Sequence, residues 1–174
     1  MKRTVTLVDE AGNVLGEADL LAAHTNGGQL HRAFSVYVFR NDRSEMLIQR
    51  RSSEKMLWPM IWANTCCSHP FADETAVQAG QRRLHEELGF TCDLQPHSDF
   101  VYRADDPTGR GTEHEYVTIL VGDCDDAVIK ADPKEVAEWK WMPVADVFAD
   151  FEHNPDLYSP WFKQGLLRIF PTQR

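Results

Sequence analysis

Residues 73–88 place the tightest limit on what this chain can become. Val77, Gly80, Leu84 and Leu88 recur at helical spacing, Asp73 or Thr75 is available as an N-terminal cap, and Gly89 supplies the stop. A helix with one apolar stripe must bury that stripe against something else. Residues 33–39 (Ala-Phe-Ser-Val-Tyr-Val-Phe) have the aromatic and β-branched character of a largely buried strand. Residues 40–44 form a polar turn, and 45–51 (Glu-Met-Leu-Ile-Gln-Arg-Arg) read as the hairpin partner.

Further on, a strand at 99–104, a turn at Asp105-Asp106-Pro107-Thr108-Gly109 and a strand at 113–121 are predicted. A short strand at 138–142 alternates Trp139 and Trp141 against Glu and Lys. Residues 143–151 and 160–170 read as helices, the second with Ser159 as cap and Pro160 at its first position. Strands and helices mix without regular βαβ alternation, which predicts an α/β (α+β) fold: a mixed sheet flanked by helices. No repeat or linker breaks the 174 residues, and 43 % hydrophobic content is enough for a core, so residues 1–174 are expected to form one compact domain.

No apolar run approaches the roughly 18 residues a membrane span needs. The N-terminus reaches Asp9 before any long apolar stretch, so no cleavable signal is expected and the cytoplasm is the default compartment. Four cysteines (Cys66, Cys67, Cys92, Cys124) are too few and too irregularly placed for a disulfide scaffold. A net charge of −9 argues against a nucleic-acid partner. It would also repel a phosphorylated substrate, so such a site needs local Arg, Lys or a metal. A monomer or weak homodimer is expected.

Three constellations carry chemistry. On the helix, Arg82, Arg83, Glu86 and Glu87 precede Leu88-Gly89-Phe90, and Arg83 and Glu87 share a face. By itself this is a solvated charged face. Together with Glu74, eight residues before Arg82, the run resembles the Nudix box, whose helix glutamates bind a divalent metal that holds a diphosphate. Arg83 stands where that family's catalytic glutamate follows the first arginine, and Ser68 where its leading glycine falls. A cation there removes a ligand and adds a phosphate partner, which keeps diphosphate binding but puts hydrolysis in doubt.

Secondly, His24, His31 and His69 accompany Glu113 and Glu115, which flank His114. Side chains alternate along a strand, so Glu113 and Glu115 share a face and repel unless a cation or proton lies between them. With imidazoles nearby, a Mn²⁺, Mg²⁺ or Zn²⁺ site with nitrogen and oxygen ligands is one outcome; unconnected surface or core residues are the other. Thirdly, Trp62-Ala63-Asn64-Thr65-Cys66-Cys67-Ser68-His69-Pro70 sets two cysteines side by side. Both can be small buried residues, but in an extended chain they point apart, and Cys67 shares its side with His69 as the candidate reactive thiol.

Taken together, these segments resemble the type I isopentenyl-diphosphate isomerases, the Nudix branch that isomerises rather than hydrolyses. The likeness runs from about Val5 to Phe170 and includes Ala-Ala-His24 with His31, Gln49-Arg50-Arg51 with Lys55, Trp58-Pro59, the Cys67 segment, Tyr102-Arg103-Ala104, Glu113-His114-Glu115 and Ser159-Pro160-Trp161. It implies a Nudix-like mixed sheet sandwiched between helices. It implies a metal held by His24, His31, His69, Glu113 and Glu115, and a second ion, normally Mg²⁺, near Glu87 and Cys67 that bridges to the substrate diphosphate. Arg51, Lys55 and Arg83 match its diphosphate-binding cations, and Cys67 and Glu115 its proton-transfer pair. Tyr102 would assist on the glutamate side, and Trp161 would shield a carbocation. Some relatives carry a lysine where this chain has Leu20, and the stretch between Gly109 and Glu113 is one residue longer than in some. The competing readings are a Nudix pyrophosphohydrolase of a small diphosphate and a zinc-stabilised domain without activity.

Overall fold

A computed structural model describes residues 3–173. Strands β1 (Thr4–Val8) and β2 (Val14–Asp19) make an N-terminal hairpin, followed by one short helix, α1 (Leu20–His24). Next come β3 (His31–Arg40), β4 (Glu45–Arg51), β5 (Trp62–Ala63), β6 (Cys66–Ser68) and helix α2 (Ala76–Leu88). A long hairpin of β7 (Gln95–Asp105) and β8 (Thr112–Asp123), then β9 (Val136–Pro143), α3 (Val144–His153) and α4 (Pro160–Ile169), complete the chain.

β3 organises the sheet. It runs parallel to β8 and antiparallel to β1, β4 and β6, so the sheet is mixed, as expected. Because side chains alternate, β3 feeds two cores at once. Ala33, Tyr37 and Phe39 face α3 and α4 with Val147, Phe151, Phe162 and Leu166; Phe34, Val36 and Val38 face α2 with Ala79, Leu84 and Leu88. Helices thus cover both sides of the sheet, and each fully buried leucine of α2 contributes roughly 2 kcal/mol. Gly80 is needed for the close approach, since a Cβ there would come within 2.7 Å of Leu120 Cδ1.

The β3–β4 hairpin is paired only at Phe39↔Met46 and Arg40↔Glu45. Beyond that the strands part. β6 pairs with β3 at Phe34↔Ser68, Ser35↔Cys67 and Val36↔Cys66, while β4 turns to β5 and β9. This splay opens a cleft at the end of the sheet where β3 begins and β6 ends.

Several boundaries differ from expectation. α2 starts at Ala76, because Thr75 and Gln78 form a reciprocal capping box; Asp73 lies outside it. Its buried face includes Arg83 and Glu87 beside the apolar row, while Val77 is only half-buried. Ser159 occupies the cap position of α4, but its side chain makes no capping hydrogen bond. Sequence patterning missed β1, β2 and α1 altogether. All four cysteines are free. Among the described residues, no helix is long and apolar enough to cross a membrane.

Candidate active site

Five side chains from four segments converge at the open end of the cleft. α1 ends on His24, β3 begins with His31, His69 follows β6 directly, and β8 carries Glu113 and Glu115. The parallel register sets His31 beside Glu115. His24 Nε2 lies 3.0 Å from Glu113 Oε2, and His69 Nε2 lies 2.9 Å from Glu115 Oε1 and 3.1 Å from His31 Nε2. One ligand atom from each of the five falls within 4.8 Å of every other, the span expected around one ion with bonds of about 2.0–2.2 Å.

The surroundings fit a divalent cation. His24 Nδ1 is 2.7 Å from the Leu20 carbonyl and His31 Nδ1 is 2.6 Å from the Gln29 carbonyl. Donation from Nδ1 leaves each Nε2 lone pair aimed at the cluster. Burial, with neighbouring His69, lowers the His31 pKa to about 3; burial, with His24, lowers that of His69 likewise to about 3, so both rings stay neutral and able to ligate. Burial also opposes charge on His24, but the Glu113 carboxylate overrides it and raises the pKa to about 9. Glu113 Oε2 is buried with the His24 ring 3.0 Å away but no well-directed hydrogen bond, a contact that an ion between the two would replace.

Further along the cleft lies a second group of titratable side chains. The β7–β8 register pairs Tyr102 with Glu115, and the phenol donates to Glu115 Oε2 at 2.7 Å. Burial raises the Glu115 pKa, and it raises that of Tyr102 well above the ordinary value, with the Glu115 charge adding to the effect. On β6 the two cysteines diverge as alternation requires: Cys66 packs among the residues under α2, and Cys67 borders the cleft. Burial pushes the Cys67 thiol up to about 11, opposed by Arg51, whose Nη1 approaches Sγ at 3.5 Å. Trp161 is 2 % exposed, edge-on to Trp58 at 5.3 Å and 6.0 Å from the Tyr102 ring. Its indole N–H donates to Asn64 Oδ1, and the Asn64 amide in turn donates to the Val36 and Cys66 carbonyls.

The cations occupy the same cleft of about 440 Å³, whose walls include Arg51, Lys55, Arg83, Cys67, Glu115 and Trp161. Arg51 donates to the Trp58 and Leu57 carbonyls at 3.0 and 2.9 Å. Trp58 is left-handed (φ 46°), and its N–H is anchored on the Asp106 carboxylate at 2.7 Å, so the loop bearing Lys55 is clamped from two sides. Arg83 reaches Glu87 across one helical turn at 2.5 Å and Glu135 at 3.1 Å. Lys55 pairs with Glu135 and lies 3.8 Å from Glu87, which also accepts from Gln49 at 2.9 Å. Glu87 therefore stands in a cation clamp, apart from the histidine–glutamate cluster.

The NUDIX domain family model matches residues 29–162. Proteins named isopentenyl-diphosphate Delta-isomerase match almost end to end. The one from Halorhodospira halophila is 39 % identical over 92 % of this chain and 91 % of its own length. The one from Nocardia farcinica is 41 % identical over 93 % and 91 %. The chain belongs to the isopentenyl-diphosphate Delta-isomerase family, within the NUDIX superfamily. Solved structures agree on the fold: the DR0079 protein of Deinococcus radiodurans superposes with a TM-score of 0.70 at 19 % identity, covering 87 % of this chain and 90 % of its own. A MutT protein from Methanosarcina mazei gives 0.67 at 14 %, covering 83 % and 96 %.

Membership in this family brings with it dependence on divalent metal, and the His/Glu cluster is where the chain offers ligands. The residues expected from sequence line the cleft or belong to the cluster, except Glu87, which is buried behind Arg83 and Lys55. Sequence reasoning missed Glu135, which neutralises Lys55 and Arg83, along with the anchor Asp106 and the cation Arg3; it quoted Gln49 in a motif but gave it no role. Glu135 lies in an unremarkable polar loop before β9, and Arg3 precedes a strand that the pattern did not reveal; neither carried a usable signal.

Proposed function

We propose that this chain interconverts isopentenyl diphosphate and dimethylallyl diphosphate by protonating one carbon of the alkene and deprotonating another. The observation that carries the reading is the sharing of one cleft by a neutral, half-buried thiol, Cys67, and a carboxylate–phenol pair, Glu115 with Tyr102, beneath Trp161.

Proton addition at the terminal alkene carbon gives a tertiary cation. Loss of a proton from the carbon next to the diphosphate-bearing one then yields the allylic product, with no net change in atoms. Water would capture that cation, so the site must be dry. Trp161, Trp58 and Leu57 supply apolar cover, and the indole face stabilises positive charge by about 2 kcal/mol where desolvated. Cys67 and Glu115 exchange the two protons, and a reversible reaction requires each to serve as donor and acceptor. Tyr102 holds one oxygen of Glu115 and passes or receives its proton. Arg51, Lys55 and Arg83 grip the diphosphate without activating its cleavage.

A Mn²⁺, Mg²⁺ or Zn²⁺ ion at His24, His31, His69, Glu113 and Glu115 would fix the Glu115 carboxylate, and Mg²⁺ near Glu87 and Cys67 would neutralise the diphosphate. Arg83, paired to Glu87 where a hydrolase would carry a metal-binding glutamate, favours an intact diphosphate.

The test is incubation of isopentenyl diphosphate with metal-loaded protein and Mg²⁺, followed by ¹H NMR. Appearance of the dimethylallyl vinyl signal with no released phosphate is expected. No conversion, or release of phosphate or monophosphate, overturns the reading.

A further inference from the structure

The cleft has a cation that no family motif supplies. Arg3 lies just before β1, and its carbonyl accepts the Leu20 amide at 2.9 Å, so the two residues sit side by side on the cleft wall. Leu20 brings no charge there. The Arg3 guanidinium reaches inward and donates from Nη2 to Ser68 Oγ at 2.8 Å, between Cys67 and His69 in the chain.

Its charge is poorly compensated. Lys55 and Arg83 have Glu87 and Glu135 as ion-pair partners, whereas among the described residues Arg3 has no carboxylate within ion-pair distance. Partial burial and the neighbouring Arg83 and Arg82 charges press its pKa down, offset only in part by Glu135 and Glu86. A half-buried cation facing other cations is favourable only if an anion shares the space. A diphosphate carries more charge than the half-neutralised Lys55 and Arg83 can balance. Among the described residues Arg3 joins Arg51 and Lys134 as cleft cations without a carboxylate partner, Arg3 being the one on the Leu20 side. A guanidinium can also bind two phosphate oxygens at once, which Ser68 alone does not satisfy.

We propose that Arg3 is a diphosphate-binding residue of this enzyme, reaching the anion from the Leu20 side of the cleft and handed into position by Ser68. This rests on the isomerase reading for its substrate, but binding of the anion can be tested without turnover.

The experiment titrates Mg²⁺–pyrophosphate into full-length, metal-loaded wild type, Arg3→Met, Arg3→Lys and the double variant Arg3→Met/Leu20→Lys by calorimetry. KM and kcat for isopentenyl diphosphate are measured in parallel. Losing one charge-assisted contact weakens pyrophosphate binding and raises KM about tenfold in Arg3→Met, with kcat within about twofold. Arg3→Lys restores part of the affinity, and so does Leu20→Lys in the Met background, because it returns a cation to the same wall. Thermal unfolding of each variant checks that the fold survives. Unchanged pyrophosphate affinity in folded Arg3→Met overturns the proposal, as does a fall in kcat with KM unmoved. Pyrophosphate data that follow this pattern in a protein that does not turn over would sink the isomerase reading and leave Arg3 as an anion ligand.

Discussion

Tyr102 and Glu115 face each other across the β7–β8 pair, and the phenol donates to Glu115 Oε2 at 2.7 Å. The other carboxylate oxygen meets His69 at 2.9 Å, so one residue links the five-ligand cluster to the proton-transfer end of the cleft. Strand register alone produces this link: His31, Glu115 and Tyr102 lie side by side on β3, β8 and β7. Tyr102→Phe keeps the buried ring and removes only the hydroxyl. It is expected to fold normally, bind metal, and lose about tenfold or more in kcat, while Glu115→Gln loses about 10²–10⁴-fold. Steady-state kinetics on the two variants check the order; equal losses would assign Tyr102 more than an assisting role.

The adjacent cysteines give a sharper contrast. Cys66 is fully buried under α2 and Cys67 borders the cleft. Cys67→Ala is expected to keep fold and metal content while turnover falls by about 10²–10⁴-fold. Cys66→Ala should leave kcat within about twofold and lower stability by about 1 kcal/mol through the small void it creates. Metal analysis, kcat and denaturant midpoints for both variants separate the roles. A metal-free Cys67→Ala protein would favour a thiol ligand site instead.

α2 and the opposite orientations of Cys66 and Cys67 were legible in sequence because each follows from a short-range period, 3.6 along residues 76–88 and 2 along 66–68. The mixed sheet flanked by helices was legible from the order of elements, and β3 from its aromatic and β-branched composition, since it is buried on both faces. The N-terminal hairpin was not, because β1 and β2 are short and carry exposed positions such as Val14 and Leu15 that break any alternation. The convergence of His24, His31, His69, Glu113 and Glu115 depends on the parallel β3–β8 register and the splay of β3 from β4, both long-range facts. Family resemblance supplied what spacing could not. Neither source marked Glu135, whose importance comes from lying against Lys55 and Arg83 after the chain has returned from β8.

Removing the metal should register as lost stability as well as lost turnover. Glu113 and Glu115 are buried on one face of β8, with the His24 ring beside Glu113 Oε2 to offset part of their repulsion, which a divalent ion relieves more fully. An ion present at a hundredfold excess over its Kd adds about 2.7 kcal/mol. That corresponds to a Tm about 5–10 °C above the chelator-treated protein for a chain of this size. Glu113→Gln keeps the side-chain volume and should lose most of that metal-induced shift. Calorimetric scans with and without Mn²⁺ or Zn²⁺ decide it; an equal shift in the variant would remove Glu113 from the ligand set.

The entrance to α2 should respond to acid. Glu74 accepts from Arg82 Nε and Nη2 at 2.6 and 2.8 Å and from the Phe71 amide at 3.0 Å. The Arg82 hydrogen bond, more than any other contact, holds its carboxyl below the ordinary value of 4.5. A carboxyl whose folded pKa is depressed binds its proton more readily when unfolded, so stability rises with pH between the two values. Its contribution is complete above 4.5 and disappears as pH falls through the lower, folded value. Glu74→Gln should thus be less stable than wild type at pH 7 by about 1 kcal/mol, the scale of a well-formed but partly exposed pair. The gap should close as the solution is acidified below the carboxylate range. Urea unfolding of both proteins across this range gives the difference directly. A gap that stayed constant with pH would mean that the amide fails to cap Phe71 for reasons of shape, with the charge of Glu74 contributing nothing.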